Sequence, residues 1–198
     1  MLSIYLVINL SSLCYWYTLL LLVKAYLLDI LLKGSDFVAK KKDSKTNAMR
    51  FLDKNAIPYE IITYECKEFT DGIHLAASLG IDPEETYKTL VTTGKTGLHY
   101  VFVIPVASEL DLKKAAKTVG EKSIELLPVR DITSVTGYVR GGCSPLGMKK
   151  QFPTVIQATA EKLPAFYVSG GKLGVQIKCS PQLLAQAIKA EFAAIIVA

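Results

Sequence analysis

The first 23 residues contain no charged side chain, and the apolar run continues to Leu32, broken only by Lys24 and Asp29. Beyond it the pattern changes to short runs of helical or alternating period, each ended by glycine or proline. Thr46 or Asn47 stands where a helix is capped, with Met49, Phe51 and Leu52 as its apolar face as far as Lys54, and Pro58 stops it. Tyr59–Tyr64 alternates as a strand, and Gly72–Leu79 reads as a short helix closed by Gly80. Asp82 caps a turn of helix with Pro83 at its first position. Thr86–Thr93 and Leu98–Val106 are strands joined through Gly94-Lys95-Thr96-Gly97, which predicts a hairpin. Leu112–Val119 is an amphipathic helix ending at Gly120, and Arg130–Thr136 a second one ending at Gly137. Thr154–Gln157, Ala165–Ser169 and Gly174–Lys178 read as further strands, and Ser180-Pro181 opens a final helix to about Ala190. Helices and strands mix without regular βαβ alternation, so the expected fold class is α+β. No repeat or low-complexity tract interrupts it.

The chain divides into an apolar leader, residues 1–37, and a domain, residues 38–198. A charge-free run of 23 residues is long enough to span a bilayer. It lacks the basic start and small-residue cleavage site of a signal peptide. As an anchor followed by lysines at 24, 33 and 40–42, it would leave the domain on the cytoplasmic side. The alternative is translation of upstream DNA. Lys33-Gly34-Ser35 is encodable by a purine-rich stretch resembling a bacterial ribosome-binding site, with Asp36-Phe37 as spacer and Val38 as a GTG start. We expect the second: a cytoplasmic protein starting near residue 38, with membrane contact only if the leader is genuine.

Charge sharpens the division. Of the net charge of +5, residues 1–50 hold +4 and the remainder only +1. The domain is therefore near neutral and lacks the basic footprint of a tight nucleic-acid binder. RNA contact would fall to local clusters such as Lys113-Lys114-Lys117 or Lys149-Lys150, which equally read as a solvated face. The cysteines at 14, 66, 143 and 179 show neither CxxC spacing nor a disulfide framework, which points to a reducing compartment. His74 and His99 have no partner at metal-ligand spacing, so no metal or other cofactor is expected.

Three places carry candidate chemistry. Lys88, in Tyr87-Lys88-Thr89-Leu90, shares a strand face with Leu90. It reads either as an edge residue with its ammonium in solvent or as a point charge for a phosphate, carboxylate or carbonyl oxygen. Gly137-Tyr138-Val139-Arg140-Gly141-Gly142-Cys143-Ser144-Pro145-Leu146-Gly147 is an irregular turn in which Gly141-Gly142 presents consecutive main-chain N–H groups suited to an oxyanion. It matches neither a Walker loop nor a dinucleotide fingerprint. Cys143 is a potential nucleophile, but no histidine is near it in sequence, and a structural thiol is the expectation. Ser169-Gly170-Gly171-Lys172-Leu173-Gly174 reads as a hairpin turn whose serine can donate into a pocket. No paired carboxylates and no Gly-x-Ser-x-Gly elbow accompany them. An enzyme built this way contributes position and electrostatics, with the nucleophile left to the substrate.

In this order, Tyr87-Lys88-Thr89-Leu90, Gly-Tyr-x-x-Gly-Gly-x-Ser-Pro-x-Gly and Ser-Gly-Gly-Lys-x-Gly closely resemble the YbaK family. These are bacterial deacylases related to the editing insertion of prolyl-tRNA synthetase. The run Leu110-Asp111-Leu112-Lys113-Lys114 matches too, and the resemblance covers about residues 46–198. It implies a compact, mixed, barrel-like sheet with packed helices. The implied activity is removal of cysteine from mischarged Cys-tRNA(Pro), the substrate thiol attacking its own ester. The implied partners are the acceptor end of the aminoacyl-tRNA and prolyl-tRNA synthetase. Lys88 takes the catalytic place. Tyr64, Gly141, Gly142, Ser169, Gly171 and Gln176 take the substrate-binding ones. Many members carry Asp where this chain has Gln176, and Arg where it has Leu173. A neutral amide does not hold an α-ammonium as a carboxylate does, so the amino-acid preference stays open. A pocket for another small amino acid such as alanine, or a non-catalytic tRNA- or synthetase-binding module, are the competing readings.

Overall fold

The computed structural model describes residues 44–65 and 71–197. The leader, the domain start near residue 38 and Cys66 lie outside them. Among the described residues no helix is long and apolar enough to cross a membrane.

The chain runs α1 (Asn47–Lys54), β1 (Tyr59–Thr63), α2 (Gly72–Leu79), β2 (Tyr87–Gly94), β3 (His99–Pro105) and α3 (Leu112–Thr118). It continues with β4 (Ile124–Leu126), α4 (Val129–Thr136), β5 (Thr154–Gln157), a 3-10 turn (Ala158–Lys162), β6 (Phe166–Ser169), β7 (Val175–Cys179), α5 (Pro181–Ile188) and β8 (Glu191–Ala193). The α+β expectation holds. The helix starts follow from their caps: Thr46 Oγ1 accepts from Met49 N–H at 3.2 Å. Asp111 accepts from the N–H groups of Lys113 and Lys114 at 3.0 Å, and Ser180 Oγ from Leu183 N–H at 3.3 Å.

Two sheets form. One has the order β1-β7-β6, all antiparallel; the other has the order β4-β2-β3-β5-β8 and is mixed. Within the second, β3 pairs with β5 and β5 with β8 in parallel. An isolated parallel bridge between Thr86 and Tyr167 joins the two sheets at the start of β2. The continuous apolar run Tyr100–Ile104 reflects a strand buried on both faces. Val101 and Val103 pack toward β6, β7, α1 and α5, while Tyr100, Phe102 and Ile104 pack against Ala115 and Ala116 of α3.

Three elements escaped the sequence reading: β4, the 3-10 turn and β8. Each is three to five residues long and too short for a period to register. Asp82 does cap, its carboxylate accepting from Glu84 N–H at 2.9 Å. Residues 83–85 form a turn rather than a helix, because the chain must enter β2 at Tyr87. The final helix ends at Ile188 with Lys189 in the left-handed region, so that β8 can join the sheet beside β5.

Candidate active site

A cleft of about 370 Å³ opens beside β2. Five of the seven predicted site residues line it: Lys88, Tyr64, Gly141, Ser169 and Gln176. The short sheet aligns Tyr64, Ser169 and Gln176, while Lys88 comes from β2 of the other sheet and Gly141 from the loop after α4. Ser169 and Gln176 are direct cross-strand partners on β6 and β7. Tyr64 follows β1 and its N–H donates to Gly174 C=O at 3.0 Å, next to the pair Thr63 and Val175.

Lys88 is half-buried, and its ammonium donates to the Val106 carbonyl at 3.0 Å. Burial lowers its pKa, and the carboxylates of Asp71 and Glu109 oppose that shift. An ammonium has three donors, so two remain for a ligand. The Oγ1 of Thr89, the Oγ of Ser169 and the Oε1 of Gln176 are buried without a hydrogen-bond partner among the described residues. All three residues line the cleft. Unsatisfied buried polar atoms are rare and cost stability, and a cluster of them in one cleft marks groups held for a ligand. The sequence named Ser169 and Gln176; Thr89 was missed, although it adjoins Lys88 in the same motif.

Gly142 and Gly171 have a different place. A Cβ on Gly142 would stand 3.0 Å from Lys172 Cα, so this glycine lets one signature press against the other. Gly171 has φ +92 with the Tyr138 ring beneath it, 3.0 Å from where a Cβ would be. Tyr138 in turn donates from its hydroxyl to the carbonyls of Leu146 at 2.6 Å and Gly147 at 3.2 Å, closing the first signature into a ring. Thr46 Oγ1 donates to Gly170 C=O at 2.6 Å and ties the second signature to the start of α1. These contacts shape the wall from behind.

Cys143 lines the cleft, but burial pushes its thiol up to about 11, so it is protonated at neutral pH. Neither histidine lines the cleft: His99 pairs with Thr93 Oγ1 at 3.1 Å, and His74 lies exposed beside Asp71. Among the described residues no cluster of three His, Cys, Asp or Glu is placed to hold a metal. Among the described residues the cleft offers the desolvated Lys88, hydroxyl and amide groups awaiting partners and a glycine-rich wall, with Asp71 and Arg140 also lining it. Such equipment can hold an electrophilic carbonyl and stabilise negative charge on its oxygen.

Comparison with known proteins identifies the family. The aminoacyl-tRNA editing domain model matches residues 70–187. A protein of Enterococcus faecalis named as a candidate Cys-tRNA(Pro)/Cys-tRNA(Cys) deacylase, EbsC, is 44% identical over 157 residues, covering 79% of this chain and 96% of that protein. Two solved structures share the fold. A candidate trans-editing enzyme for prolyl-tRNA synthetase superposes with TM-score 0.69 at 21% identity, over 77% of this chain and 96% of that one. The hypothetical protein APE2540 superposes with TM-score 0.70 at 22% identity, over 76% and 99%. The chain belongs to the aminoacyl-tRNA editing domain family.

Proposed function

We propose that this protein is an aminoacyl-tRNA deacylase that clears cysteine from mischarged Cys-tRNA(Pro), with the thiol of the substrate as nucleophile. The observation that carries this is the pairing of the desolvated Lys88 with the unpartnered atoms of Thr89, Ser169 and Gln176 in a cleft whose own thiol is held protonated. The name given to the 44% identical relative supports the substrate. In the proposed reaction the cysteine sulfur bonds to the carbonyl carbon of its own ester. The carbon–oxygen bond to the terminal ribose breaks, and the proton lost by the thiol ends on the ribose oxygen. The products are free tRNA and a cyclic thiolactone, which water then opens. The Lys88 ammonium stabilises the oxyanion, and the Gly141 main chain bounds it. Gln176 Oε1 and Ser169 Oγ take the α-amino group, Gln176 as a neutral acceptor.

Deacylation of cysteinyl- and alanyl-tRNA(Pro) by the wild type and Lys88→Ala tests this. The expected result is fast loss of cysteine, slow loss of alanine, and neither with Lys88→Ala. Equal acceleration of both would overturn the thiol mechanism and leave a pocket that selects by size. No acceleration of either would leave a binding module.

A further inference from the structure

Thr46 reads from the sequence as a helix cap, and the fold gives its hydroxyl a second bond to a residue 124 positions along the chain. The oxygen accepts from Met49 N–H at 3.2 Å, and its proton goes to the Gly170 carbonyl at 2.6 Å. A threonine hydroxyl has a single proton, so the two bonds together fix its direction. Its own side of the contact is firmly anchored. Ala48 and Leu52 of α1 are fully buried, and Met49 nearly so. Asn47 brings its carbonyl oxygen to 2.6 Å from the place a Cβ would take on Gly147. The first turn of α1 therefore underlies both glycine signatures.

The far side of the contact has less to hold it. β6 ends its sheet and pairs there with β7 alone. That pairing stops at Ser169 and Gln176, and one step past it Gly170 N–H donates to Val175 C=O at 2.9 Å. The chain then turns, with positive φ at Gly171 and Gly174. Ser169 Oγ has no partner among the described residues, so no hydrogen bond of its own fixes it and its place follows the main chain. We propose that Thr46 is a positioning residue for substrate binding: by holding the Gly170 carbonyl it sets Ser169 Oγ for the α-amino group of the aminoacyl ester. What Ser169 binds rests on the deacylase reading; the tether does not.

Two substitutions in the full chain separate the tether from the cap. Thr46→Ser keeps both. Thr46→Asp keeps the cap, since Asp ranks with Ser as an N-cap, and loses the donor. Hydrogen exchange of the Gly170 amide reads the tether directly, with the amides of α1 as the reference for the cap. Exchange at Gly170 is expected to be about tenfold faster in Thr46→Asp and unchanged in Thr46→Ser, because the end of the ladder frays once the carbonyl is released. On Cys-tRNA(Pro), Thr46→Asp is expected to raise KM about tenfold with kcat little changed, and Thr46→Ser to match wild type. Combined with Ser169→Ala, the loss is expected not to add, because Thr46 acts through that hydroxyl. Equal exchange at Gly170 in all three proteins, losses that add in full, or exchange that rises across α1 as much as at Gly170 would each overturn the proposal. The two readings fail separately. Faster exchange in Thr46→Asp without any deacylation by wild type rejects the enzyme and keeps the tether; deacylation with unmoved exchange does the reverse.

Discussion

Gly142 lies against the main chain of Lys172, its missing Cβ only 3.0 Å from Lys172 Cα and 3.1 Å from the Lys172 carbonyl carbon. The two glycine signatures are thus one packed unit, and the contact is backbone to backbone. Backbone does not yield as a flexible side chain does. Gly142→Ala is expected to destabilise the protein by about 1–3 kcal/mol through overpacking and to lower deacylation by shifting Gly141 and Ser169. Thermal unfolding beside a deacylation assay checks both; an unchanged midpoint would mean that the two turns slide apart freely.

Lys88 is expected to set the alkaline limit of activity. Burial lowers its pKa, so the ammonium is present at low and neutral pH and is lost, as pH rises, earlier than an ordinary lysine loses it. The substrate thiol ionises at about pH 8.5, so activity should rise as pH approaches that value, and its alkaline fall should come at a lower pH than an ordinary lysine would give. Lys88→Ala is expected to cut kcat/KM by about 100-fold. An alkaline fall that is absent, or that is unchanged in Lys88→Ala, would remove Lys88 from the charge-stabilising role.

Gln176 is 5% exposed and its Oε1 has no partner, a cost the free protein carries. Gln176→Met, which removes that atom at similar volume, is expected to raise stability by about 1 kcal/mol while weakening substrate binding. Denaturant titration and KM for Cys-tRNA(Pro) measure the two sides. Loss of stability would show that the amide is satisfied in the free protein.

Cys143 offers the opposite test. Its thiol is held up at about 11 by burial, so it supplies no thiolate at neutral pH. Cys143→Ala is expected to keep deacylation within about threefold of wild type, since only packing is lost. A collapse of kcat with the fold intact would make it a nucleophile after all.

Glu121 holds the hairpin of β2 and β3 together. Its carboxylate accepts from the Tyr100 hydroxyl at 2.9 Å, from Thr96 N–H at 3.4 Å and from the Thr96 hydroxyl. These bonds, the Thr96 hydroxyl foremost, lower its pKa. The stabilisation is therefore complete above the unfolded value of about 4.3 and disappears as pH falls through the lower native value. Glu121→Gln is expected to lower the melting temperature at pH 7 and to flatten the acid side of the stability profile. An acid limb identical to that of wild type would place the sensitivity in other carboxylates.

Much of this architecture is local and was readable before folding. The cap at Thr46, the turn at Gly94–Gly97 and the helix stops at Gly80 and Gly137 depend on residues within a few positions of each other. Lys88, Ser169 and the two glycine signatures were legible as residue types whose chemistry needs no neighbour to be recognised. The tertiary structure alone decided whatever depends on pairing across the chain. Short strands such as β4 and β8 exist because a long partner holds them. Gly142 and Gly171 turn out to serve packing between segments some 30 residues apart, which no local pattern records. Sequence sets the local hydrogen bonds, and the global arrangement decides which groups remain without a partner and therefore available for substrate.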